Sequence, residues 1–276
     1  MAATEKELPL LQLDARDAAA GLELSREAQW NQNEADWRYI LAKGTVYGLR
    51  DSASRLIATA ALLPYTKREA WISMVLVTES WRRQGLATRL VDACLDATMR
   101  LGLTVWLDAT PAGASVYGPL GFAPTIQLRR LRLGHGASAQ ASSELPPGRL
   151  GDFITCDINA MGFDRRDLLS ELSGRPGSRL LSTNDAMALV RDGRTARHIG
   201  PVFADNPDSA LAMVAGIVAS EPGTHLIDAV ADQKAFLDGL LRAGWTIERP
   251  FQRMRFGRAG SQAGEPPFAV AGPEFG

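Results

Sequence analysis

The sequence is poor in the residues that build covalent and metal frameworks. Two cysteines, Cys94 and Cys156, and three histidines, His135, His198 and His225, are all that its 276 residues contain. A disulfide scaffold needs more cysteines, and a structural zinc site takes several Cys and His ligands at short spacing. No HExxH or CxxC arrangement occurs, so no metal is expected in the chemistry. Charge of one sign is lacking too: 30 Lys and Arg against 31 Asp and Glu leave a formal net charge of −1. Broad attraction to nucleic acid or to an anionic membrane is therefore not expected, although a local basic patch stays open. No apolar run is long enough to span a bilayer. The opening MAATEKELPLLQLDARD lacks the basic-then-apolar order of a signal peptide. Together these absences predict a cytoplasmic protein with no membrane partner.

Turn chemistry divides what is present. Residues 134–150, GHGASAQASSELPPGRL, are small and polar and end in Pro146-Pro147-Gly148, the composition of a linker. The Gly/Pro-rich stretch after Gly257 reads as a tail whose apolar end, Pro267-Phe268-Ala269-Val270, either docks on the body or stays loose. The expected organisation is a domain over 1–134, a linker over 135–150, a second domain over 151–257 and a tail over 258–276.

Hydrophobic periodicity orders the first domain. A short strand at Leu8–Leu13 precedes a helical stretch Asp14–Gln29, with Asp14 as its N-cap, and a second helix Asp36–Ala42. Thr45–Leu49 and Leu56–Leu63 form a hairpin, and Trp71–Val77 is a third strand. Leu86–Leu101 is a helix with Leu90, Val91, Cys94, Leu95, Thr98 and Leu101 on one face, stopped by Gly102. A strand Thr104–Leu107, a short helix Gly113–Leu120 and a strand Ile126–Leu133 follow. The second domain repeats this order in part: helix Arg165–Leu172, strands Ala186–Val190 and Thr195–Ala204, and a helix capped by Asn206 with Pro207 at its first position. Strand Leu226–Val230, helix Gln233–Ala243 and closing strands Trp245–Glu248 and Arg253–Phe256 complete it. Leu120-Gly121-Phe122 and Ala243-Gly244-Trp245 mark corresponding points of a degenerate repeat, roughly 125 residues long. The fold class is α+β, a mixed sheet with helices, built as two tandem copies of one unit.

Between the third strand and its helix stands Thr78-Glu79-Ser80-Trp81-Arg82-Arg83-Gln84-Gly85-Leu86-Ala87. A basic, Gly-containing turn at a helix N-terminus is suited to phosphate. The first helical N–H groups lack internal partners, and the helix dipole adds positive charge there. Gly85 lets the backbone approach a ligand, Ala87 is small, and Arg82 and Arg83 add charge-assisted donors. A generic strand–turn–helix with surface arginines is the bland alternative.

Two segments carry a family resemblance. Arg82-Arg83-Gln84-Gly85-Leu86-Ala87 resembles the (Gln/Arg)-x-x-Gly-x-(Gly/Ala) motif of the GCN5-related N-acetyltransferases, the GNAT superfamily. Tyr117-Gly118-Pro119-Leu120-Gly121-Phe122 resembles its second signature, a helical Tyr followed by Leu-Gly-Phe. The likeness covers roughly residues 5–133. Gln29-Trp30-Asn31-Gln32 with Asp36-Trp37, the run Ala109–Gly113, and Arg249–Met254 are similar to tandem bacterial members with a divergent second domain.

The resemblance implies an acyl-CoA-dependent N-acetyltransferase with acetyl-CoA as co-substrate. The diphosphate of coenzyme A would rest on backbone N–H groups from Arg83 to Thr88, with Arg82, Gln84, Gly85, Leu86 and Ala87 in the same loop. A splayed strand would offer Leu76 and Val77 to pantetheine. Tyr117 would protonate the departing thiolate. Where the family often carries Asn seven residues before that Tyr, this chain has Thr110, so contacts to pantetheine there can differ.

Candidate bases for the amine are Glu79, Asp108 and Asp36, with Glu79 named first. Trp30, Asn31, Asp36 and Trp37 are candidates for the acceptor pocket, since ring faces and a carboxylate suit a cationic or sugar-like amine. Cys94 reads as core rather than nucleophile. In the second repeat the corresponding loop, Val202–Ala210, has neither Arg nor Gly, carries Asp205 and Asp208, and loses a donor at Pro207. Leu240 takes the place of Tyr117. That repeat is expected not to bind coenzyme A. It is expected to wall the acceptor cleft, with Gln252 and Arg253 within reach, or to sense a small ligand or serve dimerisation. A small-molecule amine is the expected partner, and a homodimer is left open. The competing readings are a non-catalytic sensor on the same fold and transfer of a longer acyl group.

Overall fold

The computed structural model describes residues 8–134, 145–221, 223–257 and 264–276. His135, the expected linker up to residue 144 and the expected tail up to residue 263 lie outside the described residues. The chain forms two compact units, one ending at Leu107 and the other running over Asp108–Gly276.

In the first unit, strand β1 (Leu11–Leu13) leads through a short 3-10 turn (Ala15–Asp17) into helix α1 (Ala18–Glu27). Asp14 does cap this entry: its carboxylate accepts the Arg16 N–H, and Asp17 reciprocates on the Asp14 N–H at 2.9 Å. Helix α2 (Glu34–Lys43) starts earlier than expected, because Asn33 and Asp36 form a capping box. Strands β2 (Thr45–Arg50), β3 (Leu56–Pro64) and β4 (Glu69–Val77) are antiparallel neighbours. Helix α3 (Leu86–Leu101) crosses over from β4 to β5 (Thr104–Ala109), which runs parallel to β4; the unit boundary falls inside β5. The sheet order is β1-β2-β3-β4-β5. Helix α3 packs on β3 and β4 and buries Leu90, Val91 and Cys94, and Trp71 and Ile72 of β4 are buried too. Leu101, expected on that face, is 64% exposed, because the helix ends there in a left-handed Gly102.

In the second unit, α4 (Pro111–Tyr117) and β6 (Ala123–Leu133) come first. Then follow α5 (Leu150–Met161), α6 (Arg166–Gly174), β7 (Arg179–Ser182), β8 (Ala186–Arg191), β9 (Arg197–Ala204), α7 (Pro207–Ser220), β10 (His225–Val230), α8 (Lys234–Arg242) and β11 (Thr246–Phe256). The sheet order is β11-β6-β10-β9-β8-β7, with β9 and β10 parallel. Helices α7 and α8 pack together, and Val190, Ile199, Ile227, Phe236 and Trp245 lie in one buried core. Strand β6 belongs to the first repeat by sequence, yet it pairs with β10 on one side and β11 on the other. The division in space therefore precedes the linker. It falls where one repeat lends its last strand to the other's sheet. Strand β11 is one element where two were expected: Pro250 lies within it, opposite Arg129, and a register shift between Ile247 and Arg249 absorbs the irregularity.

The repeat holds at the level of single turns. Gly121 and Gly244 are both left-handed, with φ 95° and 90°. Phe122 N–H donates to the Tyr117 carbonyl at 3.2 Å, and Trp245 N–H to the Leu240 carbonyl at 3.1 Å. Leu240 thus occupies the position of Tyr117.

Candidate active site

The loop after β4 leaves backbone donors exposed at a helix start. Arg83 and Gly85 are left-handed, at φ 61° and 78°, and Gly85 is the N-cap of α3. Its carbonyl accepts the Arg89 N–H at 3.0 Å, so the N–H groups of Leu86, Ala87 and Thr88 precede the first helical bond. Residues 82–85 are exposed, Ala87 and Thr88 half-buried, and Leu86 is buried under the loop. The Arg82 Nε donates to the Val77 carbonyl at 3.0 Å, and the Gln84 amide reaches Ser80 O at 3.5 Å. Glu79 is exposed at the start of a 3-10 turn (Glu79–Trp81).

Strands β4 and β5 pair over three residues only, Glu69 with Thr104, Ala70 with Val105 and Trp71 with Trp106. Beyond that point β4 keeps β3 as its ladder partner among the described residues, and the edge from Ile72 to Val77 opens. A bulge accompanies the opening. Met74 is buried at φ 51°, the β3–β4 register shifts between Thr59 and Ala61, and the buried Thr59 hydroxyl donates to the Met74 carbonyl at 2.8 Å. A bulge re-aims the strand beyond it, here the stretch that carries Leu76 and Val77.

Sequence reasoning missed Glu27. At the end of α1, its carboxylate accepts the Thr78 hydroxyl and the Glu79 N–H, each at 2.5 Å. Burial pushes this carboxyl up, but the two hydrogen bonds and the Arg82 charge outweigh it, and the net shift is downward. An ionised Glu27 therefore ties helix α1 to the end of β4. Only a contact map could have paired residues so far apart in sequence.

The proposed acceptor residues divide. Trp30 is half-buried, while Asn31 and Gln32 are buried. Trp37 is fully buried and donates from its indole to Ser25 Oγ at 2.9 Å. Asp36 is fully buried and accepts the Asn33 N–H at 2.9 Å as a cap. Trp37 thus sits in the core and Asp36 serves as a cap. The Asp108 carboxylate, another candidate base, is fully buried and held at 2.8 Å through both oxygens by Arg253. Burial pushes Asp108 above the usual carboxylate range, with Arg253 only partly offsetting it. Burial also pushes the Cys94 thiol up to about 12, which removes it as a nucleophile.

In the second unit, Thr110 caps α4, its hydroxyl accepting the Gly113 N–H at 3.2 Å. Tyr117 closes that helix, largely buried, its ring 5.8 Å from Phe122. Strands β9 and β10 repeat the splay, pairing at His225–Arg197, Leu226–His198 and Ile227–Ile199 and then parting. Here the gap is filled. Phe268 N–H donates to Val202 O, Val202 N–H to Ala269 O, Val230 N–H to Phe268 O and Val270 N–H to Asp228 O, all at 2.9–3.0 Å. The tail docks, and Ala269, Val270 and Phe275 are fully buried. Arg191 binds Ala271 O and the Glu274 carboxylate at 2.9 and 2.6 Å, and Arg165 binds the carbonyls of Phe275 and Gly276 at 2.7 and 2.6 Å. A Cβ on Gly200 would collide with the Val270 carbonyl. The loop before α7 carries Asp205, Asp208 stands in the first turn of α7, and neither stretch has an arginine.

A family model described as the acetyltransferase (GNAT) family matches residues 11–122, and one described as an acetyltransferase (GNAT) domain matches residues 153–265. The chain belongs to the GNAT superfamily, as a tandem of two such domains. The uncharacterized N-acetyltransferase YitH of Bacillus subtilis (strain 168) is 24% identical to it over 248 residues, 86% of this chain and 87% of its own. A putative acetyltransferase from Pyrococcus horikoshii has the same fold, with a TM-score of 0.81 at 18% identity over 97% of this chain and 95% of that one. A tandem GNAT protein from the clavulanic acid biosynthesis pathway superposes with a TM-score of 0.64 at 14% identity, over 93% of this chain and 100% of that one.

Proposed function

We propose that the chain transfers acetyl from acetyl-CoA to the primary amine of a small molecule, by direct attack with both substrates bound. The observation that carries the reading is the cradle at Arg82–Thr88, beside the opened edge of β4. Its donor set fits a diphosphate: amides at a helix N-terminus, a left-handed Gly85 with no side chain in the way, and two arginines. The edge beyond Trp71 supplies strand-like backbone groups for the amides of pantetheine, with Leu76 and Val77 nearest the loop. Thr110 keeps its hydroxyl hydrogen for a donor role while its oxygen caps α4.

In the reaction the amine nitrogen attacks the thioester carbonyl carbon. A C–N bond forms, the C–S bond breaks, and the sulfur leaves with the electron pair. The Tyr117 hydroxyl gives that sulfur its proton, and the amine loses one to solvent or to an exposed carboxylate such as Glu79. Orientation of two held reactants supplies much of the acceleration. Trp30, Asn31, Asp36 and Trp37 are the candidates for contact with the amine, with Trp30 the least buried of them.

One coenzyme A per chain is expected. The second repeat has no fitting loop, Leu240 replaces the proton donor, and residues 268–270 occupy the gap between β9 and β10. The test is thiol release from acetyl-CoA across amino acids, polyamines, amino sugars and peptide N-termini. Tyr117→Phe is expected to slow turnover by about 10²-fold with acetyl-CoA binding nearly unchanged. Gly85→Glu is expected to abolish binding. A protein that binds acetyl-CoA but releases thiol with no amine favours a sensor, and faster release from longer acyl-CoAs favours a different acyl group.

A further inference from the structure

The degenerate repeat holds both ends of the helix that carries Tyr117. At the start, Arg253 of β11 grips Asp108 through two hydrogen bonds of 2.8 Å, with Asp108 fully buried and Arg253 nearly so. Asp108 stands two residues before Thr110, the cap of α4. At the far end, the Phe256 ring lies 5.5 Å from Phe122, whose own ring lies 5.8 Å from Tyr117. Gly121 admits this ring, since a Cβ there would come within 3.3 Å of Phe256.

The ladder between β6 and β11 is irregular at this point, with the extra residue on β6. The β6–β11 register shifts between Gln252 and Met254, so that Arg253 faces two residues of β6. The Thr125 hydroxyl donates to the Arg253 carbonyl at 3.1 Å, and the Gln252 amide donates to Ile126 O at 3.0 Å. A bulge bends the strand that carries the extra residue, here β6, the strand on which Arg253 is laid. A planar, bidentate guanidinium–carboxylate pair fixes direction as well as distance, which a lysine cannot do.

We propose that Arg253 and Phe256 are positioning residues for the proton donor: the second repeat, without a coenzyme site of its own, sets where the Tyr117 hydroxyl points. The proposal rests on the reading of Tyr117 as the acid, and the experiment separates the two. Turnover, the acetyl-CoA KM and the pH profile of kcat are measured for Arg253→Met, Arg253→Lys and Phe256→Leu, each with Tyr117 and with Tyr117→Phe.

With Tyr117 present, Arg253→Met and Phe256→Leu are expected to lower kcat about tenfold or more, to leave KM within about twofold, and to shift the alkaline limb of the profile. Arg253→Lys is expected to recover little. With Tyr117→Phe, the same substitutions are expected to add less than about twofold. Equal losses in both backgrounds, or unchanged kcat and pH profile, would overturn the proposal and leave the function standing. Tyr117→Phe at full rate would overturn both. Phe256→Leu removes no charge and carries the test if Arg253→Met, which strands a buried Asp108, fails to fold.

Discussion

Gly85 and Trp37 show how differently two residues of similar prominence in the sequence behave. Gly85 holds a left-handed φ of 78° at a helix start, where a side chain costs about 1 kcal/mol of backbone strain and obstructs the approach of an anion. Trp37 lies wholly inside, and a Cβ on Gly21 would come within 2.5 Å of its ring. Gly21→Ala is therefore expected to destabilise the first unit by about 1–3 kcal/mol, through overpacking, in urea denaturation. Cys94→Ala is expected to leave the initial rate of acetyl transfer unchanged, because a thiol with a pKa near 12 carries no step. Loss of activity on that substitution in folded protein would revive a covalent intermediate.

Among the elements, α3 was the most legible. A stripe at 3.6-residue spacing between Gly85 and Gly102 fixes both ends, Leu86 and Leu101. Helix α5 was not read from the sequence, because it directly follows the linker-like stretch and one of its two buried residues, Asp157 beside Phe153, is charged. Asp157 is buried through its pairing with Arg165, at 2.7 and 2.8 Å, a partner beyond the helix. Strand β7 is four residues long at the sheet edge, too short to show alternation. The docked tail could be read as apolar but not placed, since its position depends on the gap between β9 and β10.

That gap makes a prediction at the same scale. Phe268 is buried edge-on against Phe236, with centroids 5.3 Å apart. Phe268→Ala is expected to cost about 3–5 kcal/mol in the second unit without creating a second coenzyme site. Acidity should act there as well. Burial, and then the charge of Arg191, hold His198 below its ordinary 6.5, and its bond to Asp228 at 3.0 Å offsets them only in part. Burial raises Asp228 too, but Arg130 and His198 outweigh it and keep the carboxylate ionised. The unfolded chain therefore binds more protons below pH 6.5. Stability is full above that pH and falls as the pH drops through and below it. Thermal midpoints between pH 7.5 and 5.5 should decline more steeply in the wild type than in His198→Gln.

At the scale of the whole molecule, the two repeats share a framework and differ in the residues set on it. Both repeats keep the parallel strand pair that parts after three residues, and both keep the Gly turn that follows a short helix. The first repeat keeps the arginines, Gly85 and Tyr117. The second replaces them with acidic residues and leucine, and closes its gap with its own chain. Strand β6, of the first repeat by sequence, completes the sheet of the second, which the linker composition at 134–150 did not reveal.

The most direct measurement is the stoichiometry of coenzyme A by titration calorimetry, on the wild type, Gly85→Glu and Phe268→Ala. One site per chain in the wild type and in Phe268→Ala, and none in Gly85→Glu, is the predicted result. Two sites in the wild type, or one that survives in Gly85→Glu, would contradict the account.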